Sequence, residues 1–333
     1  MPDNILDIFG DDAFSVASLT DVVNNRPYRP RQIARSGAFP DRGIDTTTVV
    51  IEEVNGKLTL LPTKPRGAPA TQNTDGKRKL RSLVVPHIPY ARTIMASEIR
   101  NLRAVGEVTV ESAQRKVNAK LDEMIRDHEL TLEHHRLGAA KGIIFDADGS
   151  TVIYNLFDEF GVTQQELDMA LNTASTNVRG KCQTVLDMID DALEDDPSEG
   201  VVVYCGRTFF SALIDHAKVR DTYLNWSKAA DLNKDLRYRG FEFGGLNFVQ
   251  YRGRGPVSVA DGEAHVLPLS TDLDSTYFAP ADMVDQPSDV GLPRYSSLHY
   301  LPHGKGVEIY TESNPLPLFR KPKALIKLTQ TSS

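Results

Sequence analysis

Residues 44–97 read IDTTTVVIEEVNGKLTLLPTKPRGAPATQNTDGKRKLRSLVVPHIPYARTIMAS. No helical period runs through this stretch. It opens on the β-prone run Thr46-Thr47-Thr48-Val49-Val50-Ile51, turns at Asn55-Gly56 and continues as Leu58-Thr59-Leu60-Leu61. Pro62, Pro65, Gly67 and Pro69 then break the chain, a polar basic stretch follows, and Leu83-Val84-Val85 runs back. β-branched runs interrupted by Asn-Gly and Pro read as strands and turns. Such a two-way arm has little apolar surface of its own, and two isolated strands are marginal in water. It is expected to lie on something outside its own domain.

The rest of the chain is ordinary in composition. Of 333 residues, 40% are hydrophobic and 25% charged, enough for one large core or two smaller ones. The formal net charge is -7, which disfavours a general nucleic-acid-coating role, because neutralising a phosphate backbone needs basic excess. Charge is unevenly placed. Arg26, Arg29, Arg31 and Arg35 cluster near the N-terminus, and Lys64, Arg66, Lys77, Arg78, Lys79 and Arg81 sit on the arm. Asp187, Asp190, Asp191, Glu194, Asp195, Asp196 and Glu199 form an acidic run with no basic residue inside it. Solvated faces are the plain reading, and complementary surfaces between copies of the chain are the sharper one.

Residues 1–43 predict a short helix around Ser15–Val23 and then an extended arm with Pro27, Pro30 and Pro40. Val108–Ala140 carries the best helix signal. Apolar or small residues at Val110, Ala113, Val117, Leu121, Met124, Ile125, Leu132 and Ala139 fall on one face of a 3.6-residue period, with Arg115, Lys116, Lys120, Asp122 and Arg126 between them. At ~1.5 Å per residue this helix is roughly 45–50 Å long, which suits a spine. Gly142–Asn155 predicts a hairpin around Asp146-Ala147-Asp148-Gly149-Ser150. Helices are expected around Gln164–Asn172, Ser175–Glu194 and Thr208–Lys218, and strands at Val201–Tyr204, Phe241–Tyr251, Val257–Leu269, Val307–Tyr310 and Ala324–Leu328. The fold class is α+β.

Tests for site chemistry are mostly negative. Asp146, Asp148 and Gly149 resemble the start of a calcium loop, but Ile144 stands where an EF-hand needs an oxygen ligand and Asn155 where it needs a glutamate, so a hairpin turn is the reading. His128, His134 and His135 lack the zinc-protease spacing and read as surface or intersubunit histidines. Gly253-Arg254-Gly255 is too short for a phosphate loop, Ser211 and His216 lack an orienting partner, and Trp226 reads as a packing anchor. Cys182 and Cys205 read as buried free thiols, which suits a reducing cytoplasm. Nothing asks for an enzyme, a metal or a cofactor. The N-terminus lacks a signal peptide, and no apolar run is long enough for a membrane span.

Several segments, in order, resemble one family. They are Pro86-His87-Ile88-Pro89-Tyr90 leading into Ile94-Met95-Ala96-Ser97-Glu98-Ile99, the hairpin Gly142-Ile143-Ile144-Phe145-Asp146-Ala147-Asp148-Gly149, and Asn155-Leu156-Phe157-Asp158-Glu159-Phe160-Gly161. Val203-Tyr204-Cys205-Gly206 before Phe209-Phe210, and Asn314-Pro315-Leu316-Pro317 before Arg320-Lys321-Pro322 and Leu325, complete the set. Together they resemble the lambda-type major capsid proteins of tailed phages, the phage capsid protein E family. Each segment is weak alone; the order and spacing carry the resemblance across nearly the whole chain.

The resemblance implies the Hong Kong 97-type capsid fold. Residues 1–43 become an N-terminal arm, 44–92 the E-loop, and 93–174 a peripheral domain with the spine helix and β-hairpin. Residues 175–298 become an axial domain, and 299–333 a return to the peripheral domain. It implies self-assembly into hexamers and pentamers that enclose double-stranded DNA, in a virion assembled in the host bacterial cytoplasm. It also implies a portal and a decoration protein as partners. Only about 40 residues precede the E-loop, so a separate scaffold protein is expected. The basic loop Lys64–Arg81 is expected to meet acidic surface on a neighbour, with the run from Asp187 through Asp190, Asp191, Glu194 and Asp195 to Asp196 as the candidate. The N-terminal arginines either face packaged DNA or pair with a neighbour, the second being preferred. An encapsulin-like compartment around an enzyme cargo keeps the fold and changes the contents. A soluble metal-dependent enzyme is the third reading, and a monomer with stoichiometric metal would mark it.

Overall fold

A computed structural model describes residues 9, 11–26, 31–54, 78–98, 110–194, 196–226, 240–269, 273–285 and 287–331. The Asn55-Gly56 turn, the Leu58–Leu61 run, the prolines beyond it, and Pro27 and Pro30 lie outside these residues.

The N-terminal arm carries helix α1 (Val16–Asn24), short helix α2 (Gln32–Arg35) and strand β1 (Asp41–Gly43). Ser15 caps α1 by accepting the Ser18 N–H at 3.3 Å. The arm is thus less extended than its prolines suggest. The excursion then forms an antiparallel ribbon of β2 (Thr48–Val54) and β3 (Arg78–Val84), with Thr48 opposite Val84 and Val54 opposite Arg78. Strand β4 (Ile88–Met95) leads out of it.

Helix α3 (Val110–Lys141) is the spine, 32 residues and, at ~1.5 Å each, about 48 Å long. Its expected apolar face is buried at Ala113, Val117, Leu121, Met124, Ile125, Leu132 and Ala139. The hairpin β5 (Ile143–Phe145) and β6 (Val152–Asn155) follows as expected, then short helix α4 (Leu156–Phe160). Gly142 makes the corner between spine and hairpin at φ +86, where a Cβ would stand 2.3 Å from the Phe157 ring.

The next element corrects the sequence reading. Gln165–Asp168 is strand β7, not part of a helix over Gln164–Asn172. Its helix propensity is overridden by parallel pairing with a strand from the far end of the chain. Helix α5 (Val178–Leu193), strand β8 (Gly200–Cys205), helices α6 (Arg207–Asp215) and α7 (Ala217–Trp226), and strands β9 (Phe241–Phe243) and β10 (Leu246–Gln250) follow. The helix expected over Thr208–Lys218 breaks at His216, which is extended at φ -61, ψ 128.

The C-terminal part is all strands: β11 (Glu263–Leu269), β12 (Asp274–Phe278), β13 (Tyr295–Tyr300), β14 (Gly306–Ser313), β15 (Pro315–Phe319) and β16 (Ile326–Thr329). Residues 251–262 form a loop, so the strand expected from Val257 starts only at Glu263. Strand β15 reads Pro-Leu-Pro-Leu-Phe and was not expected. It is the edge of the sheet β1-β12-β15, where a missing N–H costs no ladder bond.

A six-stranded sheet runs β7-β16-β11-β8-β10-β9, and a three-stranded sheet runs β13-β14-β4. The six-stranded sheet therefore takes strands from before residue 175 and after residue 299 as well as between them. The spine crosses two cores. Its N-terminal half joins Phe14, Leu19 and Val23 of the arm with Ile94, Val307 and Ile309. Its C-terminal end joins the large core around the six-stranded sheet through Leu137, Ala139 and Ala140.

Candidate assembly surfaces

Pleating sorts the ribbon into two faces. Val49, Ile51 and Leu83 point inward and are buried against the large core. Val50, Leu80 and Val84 point outward and are 62%, 69% and 60% exposed. Arg81 shares the inner face, opposite Ile51. Its guanidinium donates to the Glu159 carbonyl and, at 3.0 Å, to the Phe160 carbonyl, and lies 5.1 Å from the Phe160 ring centroid. These are the last carbonyls of α4, where a cation is favoured. Tyr154 Oη donates to the Val84 carbonyl at 2.8 Å. The base of the arm is thus anchored on its own chain, and Arg81 is part of that anchor. Lys64, Arg66 and Lys77 lie outside the described residues, as do the side chains of Arg78 and Lys79.

The acidic run sits on and just beyond α5. Asp187, Asp190, Asp191 and Glu194 are exposed, at spacings of three and four residues, and so share one stripe. Val178, Cys182, Val185 and Ile189 are buried on the other side. Acidic groups at a helix C-terminus oppose the helix dipole, and like charges at these spacings cost about 0.2–0.5 kcal/mol per pair. Glu194 also takes φ +57 as the C-cap. Asp187 accepts from Gln183 Nε2 at 3.2 Å. Asp196 is held by Lys321 Nζ at 2.8 Å, and Asp195 lies outside the described residues. The structure therefore separates the run: Asp196 is neutralised within the chain and the α5 stripe faces solvent.

A third feature was not visible in the sequence. The spine is buried all round from Leu132 to Ala140, polar Glu133, His134, His135 and Arg136 included, and His128 and Glu129 are buried one turn earlier. Glu133 Oε1 accepts the Ile33 N–H and the Tyr251 O–H, each at 3.0 Å, and burial raises its pKa. Arg136 donates to Thr276 Oγ1 at 3.0 Å, to the Phe39 carbonyl at 3.2 Å and to Asp41 at 2.5 Å. Arg26 pairs with Asp122 further along the helix. The N-terminal arm is thus strapped to its own spine by hydrogen bonds and charge. Short-range patterns carry no trace of this, because the partners are up to 140 residues apart.

The spine histidines are buried in their own chain, not at its surface as expected. His128 meets Thr311 Oγ1 at 2.9 Å, and His134 Nε2 meets the Asp146 carbonyl at 3.1 Å. Neither ring nitrogen of His135 has a hydrogen-bond partner among the described residues. Desolvation lowers the pKa of His128 and of His135 to about 4. Asp148 binds the backbone and hydroxyls of Ser150 and Thr151 at 2.6–2.9 Å, so the turn is closed on itself and the carboxylate is held well below its usual range by those donors. Among the described residues no cluster of His, Cys, Asp and Glu has the arrangement of a metal site. Ser211 is exposed, whereas His216 is buried and bonded to the Thr173 carbonyl at 3.1 Å. Cys182 and Cys205 are buried free thiols, with burial pushing Cys182 up to about 12. The Trp226 side chain lies outside what is described. No helix among the described residues is long and apolar enough to cross a membrane.

An anchored ribbon with a bare apolar face, a long spine and an arm strapped along it point to a protein that completes itself against copies. Comparison with known families decides the matter: the model of "Phage major capsid protein E" matches residues 15–330. The chain belongs to the phage major capsid protein E family. A major capsid protein of Pseudomonas phage KPP10 is 29% identical over 311 residues, covering 86% of this chain and 89% of that protein. A major capsid protein of Salmonella phage Felix O1 is 25% identical over 355 residues, covering 94% and 95%. Among solved structures, the capsid of Cyanophage P-SCSP1u superposes with a TM-score of 0.50 at 9% identity, covering 92% of this chain and 90% of that one. The fold of this capsid protein is the Hong Kong 97-type fold, α+β in class, and its place is the virion capsid.

Proposed function

We propose that this capsid protein assembles into hexamers and pentamers that close an icosahedral head around double-stranded DNA, with the E-loop ribbon laid over a neighbouring copy. One observation carries the reading. The ribbon is tied down on its inner face and presents Val50, Leu80 and Val84 to solvent on the other. Apolar area covered by a neighbour stabilises by about 25 cal/mol per Å². Heterologous contacts that repeat with rotation close into rings.

The basic loop beyond the ribbon meets the α5 stripe of a neighbour. Arg81 leaves that set, because its donors are engaged within the chain. Lys64, Arg66, Lys77, Arg78 and Lys79 remain, facing Asp187, Asp190, Asp191 and Glu194. The segments 1–43, 44–92, 93–174, 175–298 and 299–333 serve as arm, E-loop, peripheral, axial and returning parts, with β7 and β16 stitching the peripheral and returning parts to the axial sheet. The role is structural and not enzymatic. A separate scaffold protein, a portal and a decoration protein are the partners.

Charge reversal tests the charged contact. Arg78→Glu with Lys79→Glu should leave the subunit folded by circular dichroism yet abolish shells in electron micrographs. Adding Asp190→Lys and Asp191→Lys should restore them. Normal shells from the first variant would refute the pairing.

A further inference from the structure

We propose that an arginine-lined groove between the N-terminal arm, the spine and the 251–257 loop binds the phosphodiester backbone of the enclosed nucleic acid, without reading its sequence. This rests on the capsid reading and deepens it.

Two cavities, of about 960 and 880 Å³, meet at Tyr251, Arg252, Gly253 and Arg254. Arg31 and Arg35 come from the arm, Arg126 from the spine, Arg252 and Arg254 from the loop, and Arg207 from the start of α6. All six are exposed. They converge although the whole chain carries a net charge of -7. Three carboxylates share the lining, Glu129, Glu133 and Asp261. Glu129 is buried and sits 3.8 Å from Arg294; Glu133 is buried and its Oε1 accepts the Ile33 N–H and the Tyr251 O–H, while its Oε2 has no hydrogen-bond partner among the described residues. Arg126, Arg207 and Arg254 have no carboxylate partner among the described residues, and Arg31 lies within reach of the Glu133 charge.

The groove is built, not incidental. Gln32 clamps its two lips, donating to the Gln250 carbonyl at 2.5 Å and accepting the Arg252 N–H at 2.8 Å. Arg26 is excluded from it by its pairing with Asp122.

Guanidinium forks take both phosphate and carboxylate, so the choice rests on shape and on what else lines the site. Six cations from four segments lie along two joined cavities, which suits a ligand whose charge repeats along its length. A docked peptide is usually held by apolar anchors in pockets. Here, among the described residues, Leu130 is the only large apolar lining residue that is exposed. The phosphate backbone is therefore the occupant, and an acidic peptide is the alternative that the test must reject.

The test measures fluorescence anisotropy of a mixed-sequence DNA duplex with the purified full-length subunit, over a range of salt. If all six arginines engage, the log–log salt slope is about -5, since each neutralised phosphate contributes about -0.9. The variant Arg31→Glu, Arg126→Glu, Arg254→Glu should lose at least about thirtyfold in affinity at 0.1 M salt, with its slope reduced by about 3. The control Arg179→Glu, Arg220→Glu, Lys323→Glu makes the same charge change on exposed positions outside the groove lining and should lose less than about threefold. Equal losses in both variants, or no duplex binding by the wild type, would overturn the proposal. So would a poly-glutamate peptide that displaces the duplex from the wild type at equimolar charge. Shell formation is scored separately by electron microscopy, so failure of the groove is distinguishable from failure of the capsid reading.

Discussion

Acid should unfold this subunit earlier than its carboxylates alone would dictate, and His135 should account for a measurable share. His135 is 2% exposed, neither ring nitrogen has a hydrogen-bond partner among the described residues, and the neighbouring His134 ring lies 5.9 Å away. Burial, then the His134 charge, lower its pKa to about 4, while Asp146 opposes them. In the unfolded chain the same group titrates near its ordinary value of about 6.5. A folded pKa below the unfolded one means that the unfolded state binds protons first, so stability falls as pH drops from about 6.5 to about 4. Between pH 7 and 5 the linkage relation gives a loss of about 2 kcal/mol from this one residue. His128, also near 4, adds a similar amount, and His265, near 3, a little more. Glu133 works the other way. Its raised pKa makes the folded state hold a proton longer, which offsets part of the loss above pH 4.5. The assay is urea unfolding of the isolated subunit at pH 7 and pH 5, for wild type and His135→Leu. The variant should lose about 2 kcal/mol less than wild type over that interval. An identical pH dependence would show that His135 stays neutral or titrates equally in both states, and the reasoning would fail.

Other perturbations follow from single contacts. Arg81→Ala should raise hydrogen exchange in β2 and β3 by about 10–100-fold without changing exchange in the spine, because two half-exposed charge-assisted bonds and a ring contact sum to about 1.5–3 kcal/mol. Unchanged protection would mean the ribbon is held elsewhere. Gly142→Ala should lower the unfolding free energy by about 2–4 kcal/mol in urea titrations, since the new Cβ meets the Phe157 ring and the left-handed backbone is strained. Val50→Asp with Leu80→Asp should leave the subunit melting temperature within a few degrees, because both residues are exposed, yet prevent rings and shells in electron micrographs. Cys182 and Cys205 should resist a thiol reagent in the native subunit at pH 8 and react promptly in guanidinium, since both are buried and burial raises both thiol pKa values.

Local patterns are legible wherever one period persists over many residues. Ala113, Val117, Leu121 and Met124 repeat at helical spacing, and the spine lies within a residue or two of its expected bounds. The runs Thr46–Ile51 and Leu83–Val85 gave the two ribbon strands, because β-branched residues favour a pleated surface whatever their partner. The order of such segments was enough for the family resemblance, and with it the fold and the virion role.

The tertiary structure decided what depends on partners distant in the chain. Gln165–Asp168 has no intrinsic claim to be a strand and becomes one only by pairing with Ile326–Thr329. Pro315–Phe319 is a strand only because it lies at a sheet edge. The spine histidines looked solvated because polar residues surround them in sequence, yet the arm and strands β12 and β14 close over that stretch of the helix. Arg81 looked like its basic neighbours until pleating turned it inward, and Arg31, Arg126 and Arg254 form a groove only when segments far apart in the chain are packed together. Periodicity is a property of neighbours in the chain. Burial, charge convergence and edge position belong to neighbours in space, and only folding makes those.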